Sequence, residues 1–176
     1  MKMNLKTKAD IQRYSNKRYI IKPESVADHL WYMTEIALRL NQKINFNIKE
    51  VIYRIMIHDM EEFVTLDIPR DVKHSSREYK EMTDDVAFKI LRKENICTPS
   101  VLTDAITAKC HDSIEGALVH FIDAYQAYLK LYDEVYVLGN KSLEGELNNE
   151  CVPYLQEVVE EVSKDFPELE YLSTLI

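Results

Sequence analysis

The chain has 176 residues, 46% of them hydrophobic, which is one domain's worth and long enough to bury a core without cross-links. Its formal charge of −8, from 30 acidic and 22 basic residues, argues against a nucleic-acid polymer or an anionic membrane surface as partner, while leaving room for a local basic pocket that holds one small anion. The three cysteines, Cys97, Cys110 and Cys151, have no CxxC spacing, so they fit neither a disulfide framework nor a thiolate metal site and read as reduced thiols.

The opening stretch MKMNLKTKADIQRYSNKR is basic but lacks the apolar run of a signal peptide, and apolar stretches such as VIYRIMI fall far below a membrane span. A cytoplasmic protein is the expectation. With only three glycines and five prolines, and with apolar residues recurring every three or four positions, the pattern predicts an all-α helical bundle forming a single domain over residues 1–176.

The first long helix is predicted to start near KPESVADH, where Pro23 and Ser25 suit a helix start. Val26, Leu30, Met33, Ala37 and Leu40 then line one face, and His29 falls on that inward side. A second helix, from about Ile48 to Thr65, puts Val51, Ile55, His58, Asp59 and Glu62 on one broad face before the turn-rich DIPRDVKH. Further helical patterns run from about Ser76 to Lys93, Ser100 to Lys109, Ser113 to Leu138 and Glu150 to Lys164, with LGNKSLEGE as the loop between the last two. In the acidic tail, Val158, Val159 and Val162 point inward and the glutamates outward.

A lone inward histidine such as His29 is more often a hydrogen-bonded core residue than a ligand. His58 and Asp59 change that balance. Burying a carboxylate beside an imidazole is costly unless a cation, a metal or a dense set of hydrogen bonds offsets the desolvation. Adjacent helical residues diverge by about 100°, so both reach one ion only at a seam between helices. His29 from one neighbour and Asp123 in LVHFIDAYQAYLK from another complete two imidazoles and two carboxylates, a mixed set suited to Zn, Mn, Co or Fe(II). Phe121, Ile122, Ala124 and Ala127 around Asp123 favour its burial. A second His-Asp pair, His111 and Asp112, lies at a loop-to-helix junction where Asp112 or Ser113 serves as a cap, and it is given no chemical role.

His29, then His58-Asp59, then Asp123, in that order on separate helices, resembles the H…HD…D signature of the HD-domain metal-dependent phosphohydrolases. The stretches ESVADH, HDMEEFVTLDIPRDVK, EYKEM, LVHFIDAYQAYLK and LGN further resemble, in order and spacing, the bacterial HD-domain 5'-deoxynucleotidases, from about residue 13 to 140, with 141–176 as a C-terminal helix and tail packing on that core. That resemblance implies removal of phosphate from deoxynucleoside 5'-monophosphates with one divalent transition metal. Similar short phage-encoded relatives release triphosphate from deoxynucleoside triphosphates, with Mg as an additional ion, and the motifs do not separate the two activities. The resemblance also implies a homo-oligomer.

Carried over residue by residue, it implies metal ligation by His29, His58, Asp59 and Asp123, with Glu62 and Asp67 beside the reacting phosphate. The metal would act as a Lewis acid or supply hydroxide near neutral pH. Glu62 would orient the water or take its proton, and Asp67 would protonate the leaving 5'-oxygen if burial raises its pKa, with the division of work between the two acids left open. Arg13 matches an Arg-aromatic pair that binds phosphate, with Arg18 and Lys73 as further cations for the same pocket. Tyr14 stands where the deoxynucleotidases carry a Trp against the sugar, and His120 where many HD proteins have a Lys. The tyrosine hydroxyl could meet a 2'-OH, which bears on sugar selectivity, and His120 would touch phosphate only when protonated. The run Tyr125, Tyr128, Tyr132 and Tyr136 reads as packing rather than base stacking. Cyclic-nucleotide or alarmone hydrolysis, and a non-catalytic nucleotide sensor, are the competing readings. The Arg13 pair argues against the first, and the intact ligands with Glu62 and Asp67 against the second.

Overall fold

The computed structural model describes residues 10–14, 19–60, 62–66, 76–93 and 113–176. Its body is all helical: α1 (Val26–Leu40), α2 (Ile48–Ile57), a short α3 (Glu62–Thr65), α4 (Arg77–Lys93), α5 (Ile114–Tyr132) and α6 (Val152–Asp165). Pro167–Leu175 closes the described chain as a 3-10 helix. No helix among the described residues is long and apolar enough to cross a membrane.

Local chemistry sets the ends of these helices. Ser25 caps α1 reciprocally: its hydroxyl accepts from the Asp28 N–H at 3.1 Å, while its own N–H donates to Asp28 Oδ2 at 3.0 Å. Ser113 is the cap of α5, accepting from the Gly116 N–H at 3.2 Å. The predicted inward stripe of α1 is buried, and it packs with Val51 and Ile55 of α2, Leu118, Phe121 and Ile122 of α5, Leu155, Val158, Val159 and Val162 of α6, and Leu169 and Leu172 of the tail. A smaller cluster sets Ile57 and Met60 against Ala87, Ile90 and Leu91 of α4.

The predicted helix from Ile48 to Thr65 is corrected to two. Its regular part ends at Ile57, His58 takes an extended ψ of 141° as the cap, and Asp59 has a left-handed φ of 56°. The break turns both side chains towards one point, whereas a continuous helix would point them about 100° apart. LGNKSLEGE is likewise no open loop. α5 passes into a π-helical turn at Asp133–Val137, Gly139 reverses the chain at a left-handed φ of 75°, and helical turns resume from Lys141 to Cys151.

One strand pair precedes α1. Gln12–Arg13 (β1) runs antiparallel to Glu24–Ser25 (β2), with Gln12 opposite Ser25 and Arg13 opposite Glu24. A two-residue ladder carries no periodicity, so nothing in the pattern announces it. Its effect is to bring Arg13 into the interior beside the start of α1. Ile21 and Lys22, just before β2, are anchored by Glu134, fully buried, which accepts from their N–H groups at 2.9 and 2.8 Å, from Lys130 Nζ at 2.9 Å and from Asn140 Nδ2 at 3.0 Å. Lys130 Nζ also donates to the Lys22 carbonyl, and Asn140 Nδ2 to that of Tyr19 at 2.6 Å. Desolvation would raise the Glu134 pKa, but these donors outweigh it and bring it down to about 2.

The tyrosines of α5 and of the π-helical turn that follows it form a ladder. Ring centroids are 6.0 Å apart for Tyr125 and Tyr128, 5.9 Å for Tyr128 and Tyr132, and 4.8 Å for Tyr132 and Tyr136. Tyr125 and Tyr128 pack on the core, while Tyr132 and Tyr136 are exposed.

Candidate metal centre

His29, fully buried on α1, His58 and Asp59 at the break after α2, and Asp123 on α5 converge on one point. One donor atom from each of His29, His58 and Asp59 lies within 4.8 Å of the others. Asp123 Oδ1 sits 3.3 Å from His29 Nε2 and 3.5 Å from His58 Nε2. Asp59 spans the cluster, with Oδ1 3.4 Å from His58 Nε2 and Oδ2 3.7 Å from His29 Nε2.

The break makes this possible. With Asp59 in the left-handed region, consecutive side chains both turn into the space between α1 and α5. Aspartate tolerates that conformation better than most residues, and such backbone is concentrated at functional sites. Among the described residues, the other non-glycine positions with positive φ are Tyr14 at 58° and Leu66 at 65°, each next to a residue expected in the site.

The burial expected of Asp123 is met in part: its side chain retains 34% exposure. Desolvation raises its pKa, but the His58 and His29 imidazoles prevail and hold the carboxyl well below the usual carboxylate range.

Arg13 enters from β1. Its NH1 donates to Asp59 Oδ2 at 2.7 Å and lies 3.9 Å from Glu62 Oε2, while its Nε faces Glu24 Oε1 at 3.7 Å. Burial opposes the guanidinium charge, yet Asp59, Tyr14, Glu62 and Asp123 together raise its pKa well above the ordinary value. Tyr14 lies beside it, with the guanidinium carbon 5.8 Å from the ring centroid. Desolvation pushes the Tyr14 hydroxyl far upward, so it stays a neutral donor. Glu62 is buried at the start of the short α3, on the Arg13 side of the cluster.

His120 sits one turn before Asp123 and packs edge-on against Tyr154 of α6, with centroids 6.3 Å apart. Asp67, Arg18 and Lys73 lie outside the described residues, as do Cys97, Cys110, the pair His111 and Asp112, and the helix expected from Ser100 to Lys109.

Two buried residues at the centre escaped the sequence reading. Gln126 Oε1 meets His29 Nδ1 at 2.8 Å, and Gln126 Nε2 donates to Glu24 Oε2 at 2.8 Å. A signal existed for Gln126, which follows Asp123 by three residues and so shares its side of α5. Glu24 was hidden inside what read as a helix-start motif.

The donor set fits a divalent transition ion. Two imidazoles and two carboxylates satisfy such an ion's preference, and His29 Nε2 is buried without a hydrogen bond while facing two carboxylate oxygens. An imidazole nitrogen in that position has the geometry of a ligand.

An all-helical bundle with His and Asp from two helices and His-Asp from the break after a third defines the class. The chain matches the family model described as HD domain over residues 5–134, and it belongs to that family. HD domains bind divalent metal and act in general as metal-dependent phosphohydrolases. A search of the curated proteins gives no match. Among solved structures, the chain is similar to a conserved hypothetical protein from Pyrococcus furiosus. The two share 23% identity and a TM-score of 0.61, with 91% of this chain and 96% of the other covered. That likeness is one of fold.

Proposed function

We propose that the protein is a deoxynucleotide phosphohydrolase that releases phosphate from deoxynucleoside 5'-monophosphates, using one divalent ion of Co, Mn, Zn or Fe held by His29, His58, Asp59 and Asp123. The observation that carries this reading is the placement of Arg13 and Glu62 on one side of the donor cluster, 3.9 Å from each other. The bound ion supplies Lewis acidity towards a phosphate oxygen and an attacking water. Arg13 contributes a guanidinium that stays charged in a buried setting, suited to a phosphate dianion. Glu62 accepts the proton of the attacking water, and Asp67 delivers one to the leaving 5'-oxygen. Tyr14, neutral and flat, offers a face to the sugar.

The test is product analysis. Protein loaded with Co(II) or Mn(II) is incubated with deoxynucleoside mono- and triphosphates and with the matching ribonucleotides. Deoxynucleoside and orthophosphate from the monophosphates alone is the expected result. Deoxynucleoside with tripolyphosphate would replace this reading with triphosphohydrolysis, and no turnover with any metal would replace it with nucleotide sensing.

A further inference from the structure

We propose that Gln126, aligned by Glu24, is a positioning residue that fixes the tautomer of His29 and so turns the lone pair of His29 Nε2 towards the other donors. This rests on the reading of His29 as a metal ligand.

The direction of each hydrogen bond follows from the inventory of donors. Gln126 Nε2 donates to Glu24 Oε2 across 2.8 Å, so the NH2 end of the side-chain amide is turned towards Glu24. That leaves the amide oxygen towards His29, 2.8 Å from Nδ1. An amide oxygen can only accept, so His29 Nδ1 carries a proton and Nε2 is the ring nitrogen left to face a cation. It is Nε2 that lies 3.3 Å from Asp123 and 3.7 Å from Asp59.

All three residues are buried, with 0% exposure at His29, 3% at Gln126 and 4% at Glu24. Water is therefore poorly placed to substitute for either bond. A free imidazole exchanges between tautomers, and the wrong one would aim an N–H at the cation. Outer partners that fix a ligating histidine typically govern metal affinity by about 10–100-fold. An amide is an unusual choice because it has no intrinsic direction, and the fixed acceptor at Glu24 supplies that direction. Glu24 is itself set by the strand pair, opposite Arg13.

The test compares the wild-type chain with Gln126→Leu, Glu24→Gln and the exchanged pair Glu24→Gln with Gln126→Glu. The imidazole nitrogens of the metal-free proteins are read by long-range ¹H–¹⁵N correlation, and Co(II) affinity by titration. The wild type should show His29 with a proton on Nδ1. Gln126→Leu should admit the other tautomer and weaken Co(II) about 10–100-fold. Glu24→Gln, which removes the fixed direction without opening a cavity, should lie between, and it decides the matter if the Leu variant fails to fold. In the exchanged pair, the carboxylate introduced on α5 accepts from both neighbours and should restore the tautomer and the affinity, a recovery that mere packing does not explain. A wild-type His29 with no proton on Nδ1, or folded variants whose tautomer and Co(II) affinity stay within about twofold of the wild type, would overturn the proposal, since outer partners of this kind govern affinity by more than that. Protein that shows these dependences but hydrolyses no nucleotide would overturn the proposed activity and uphold the role of Gln126.

Discussion

Arg13 and Asp59, 46 residues apart in the chain, share a 2.7 Å hydrogen bond in which a strand residue neutralises an expected metal ligand. A cation there serves two masters, since it favours the ionised carboxylate but repels a divalent ion. Arg13→Ala should therefore bind Co(II) at least as tightly as the wild type while kcat/KM for a nucleoside phosphate drops by about 10–100-fold, the loss of roughly 1.4–2.7 kcal/mol from one charge-assisted contact. Parallel calorimetry and initial rates check the split. Weakened metal binding with unchanged kcat/KM would mean that Arg13 is only scaffolding.

Asp59→Asn separates the backbone requirement from the charge. Asparagine tolerates a left-handed φ about as well as aspartate, so any fall in the thermal midpoint of the metal-free variant should come from the weakened pair with Arg13 rather than from the backbone. Metal content and turnover should both vanish. Elemental analysis of the purified variant, beside a melting curve, tests both halves.

Glu62→Gln should retain the metal and slow hydrolysis by about 10²–10⁴-fold, the usual contribution of a positioned general base. Full-rate turnover would remove Glu62 from the chemistry.

Metal loading should also stabilise the fold, because the four donors come together only in the folded chain. Free Co(II) at about a hundredfold excess over its Kd should add about 2.7 kcal/mol, and a chelator should remove that gain. Denaturant unfolding with and without Co(II) measures it.

The pH dependence of stability should carry the mark of Glu134. Its pKa is lowered on folding from 4.5 to about 2, so the folded state binds the proton less readily than the unfolded chain. The resulting stabilisation is complete above 4.5 and is lost as pH falls from there towards 2, and the shift corresponds to on the order of 3 kcal/mol. Glu134→Gln should lower stability at neutral pH and flatten the acid limb in that window. Urea midpoints measured across it decide the point.

Much of this was legible in the residues, and the gaps have definite causes. The stripe from Val26 to Leu40 is periodic and capped, so α1 and the inward aim of His29 could be read directly. The break at His58 and Asp59 could not, because Val51 and Ile55 continue a helical pattern towards Glu62 and only the demands of three neighbouring elements force Asp59 out of it. Asp123 looked buried because its sequence neighbours are apolar, and it is so only in part, since helical neighbours face different ways and its side chain keeps 34% exposure. Arg13 was found through its resemblance, whereas its pairing with Glu24 depends on a ladder too short to leave a periodic trace. Gln126 was passed over because a neutral amide among tyrosines announces no chemistry.

The left-handed turn at Asp59 sets local stability against activity. Alanine there would favour joining α2 to α3 in one unbroken rod, relieving conformational strain of roughly 1–3 kcal/mol. A screen that rewards thermal robustness alone would welcome such a repair, and with it would select chains whose donors no longer face the same point.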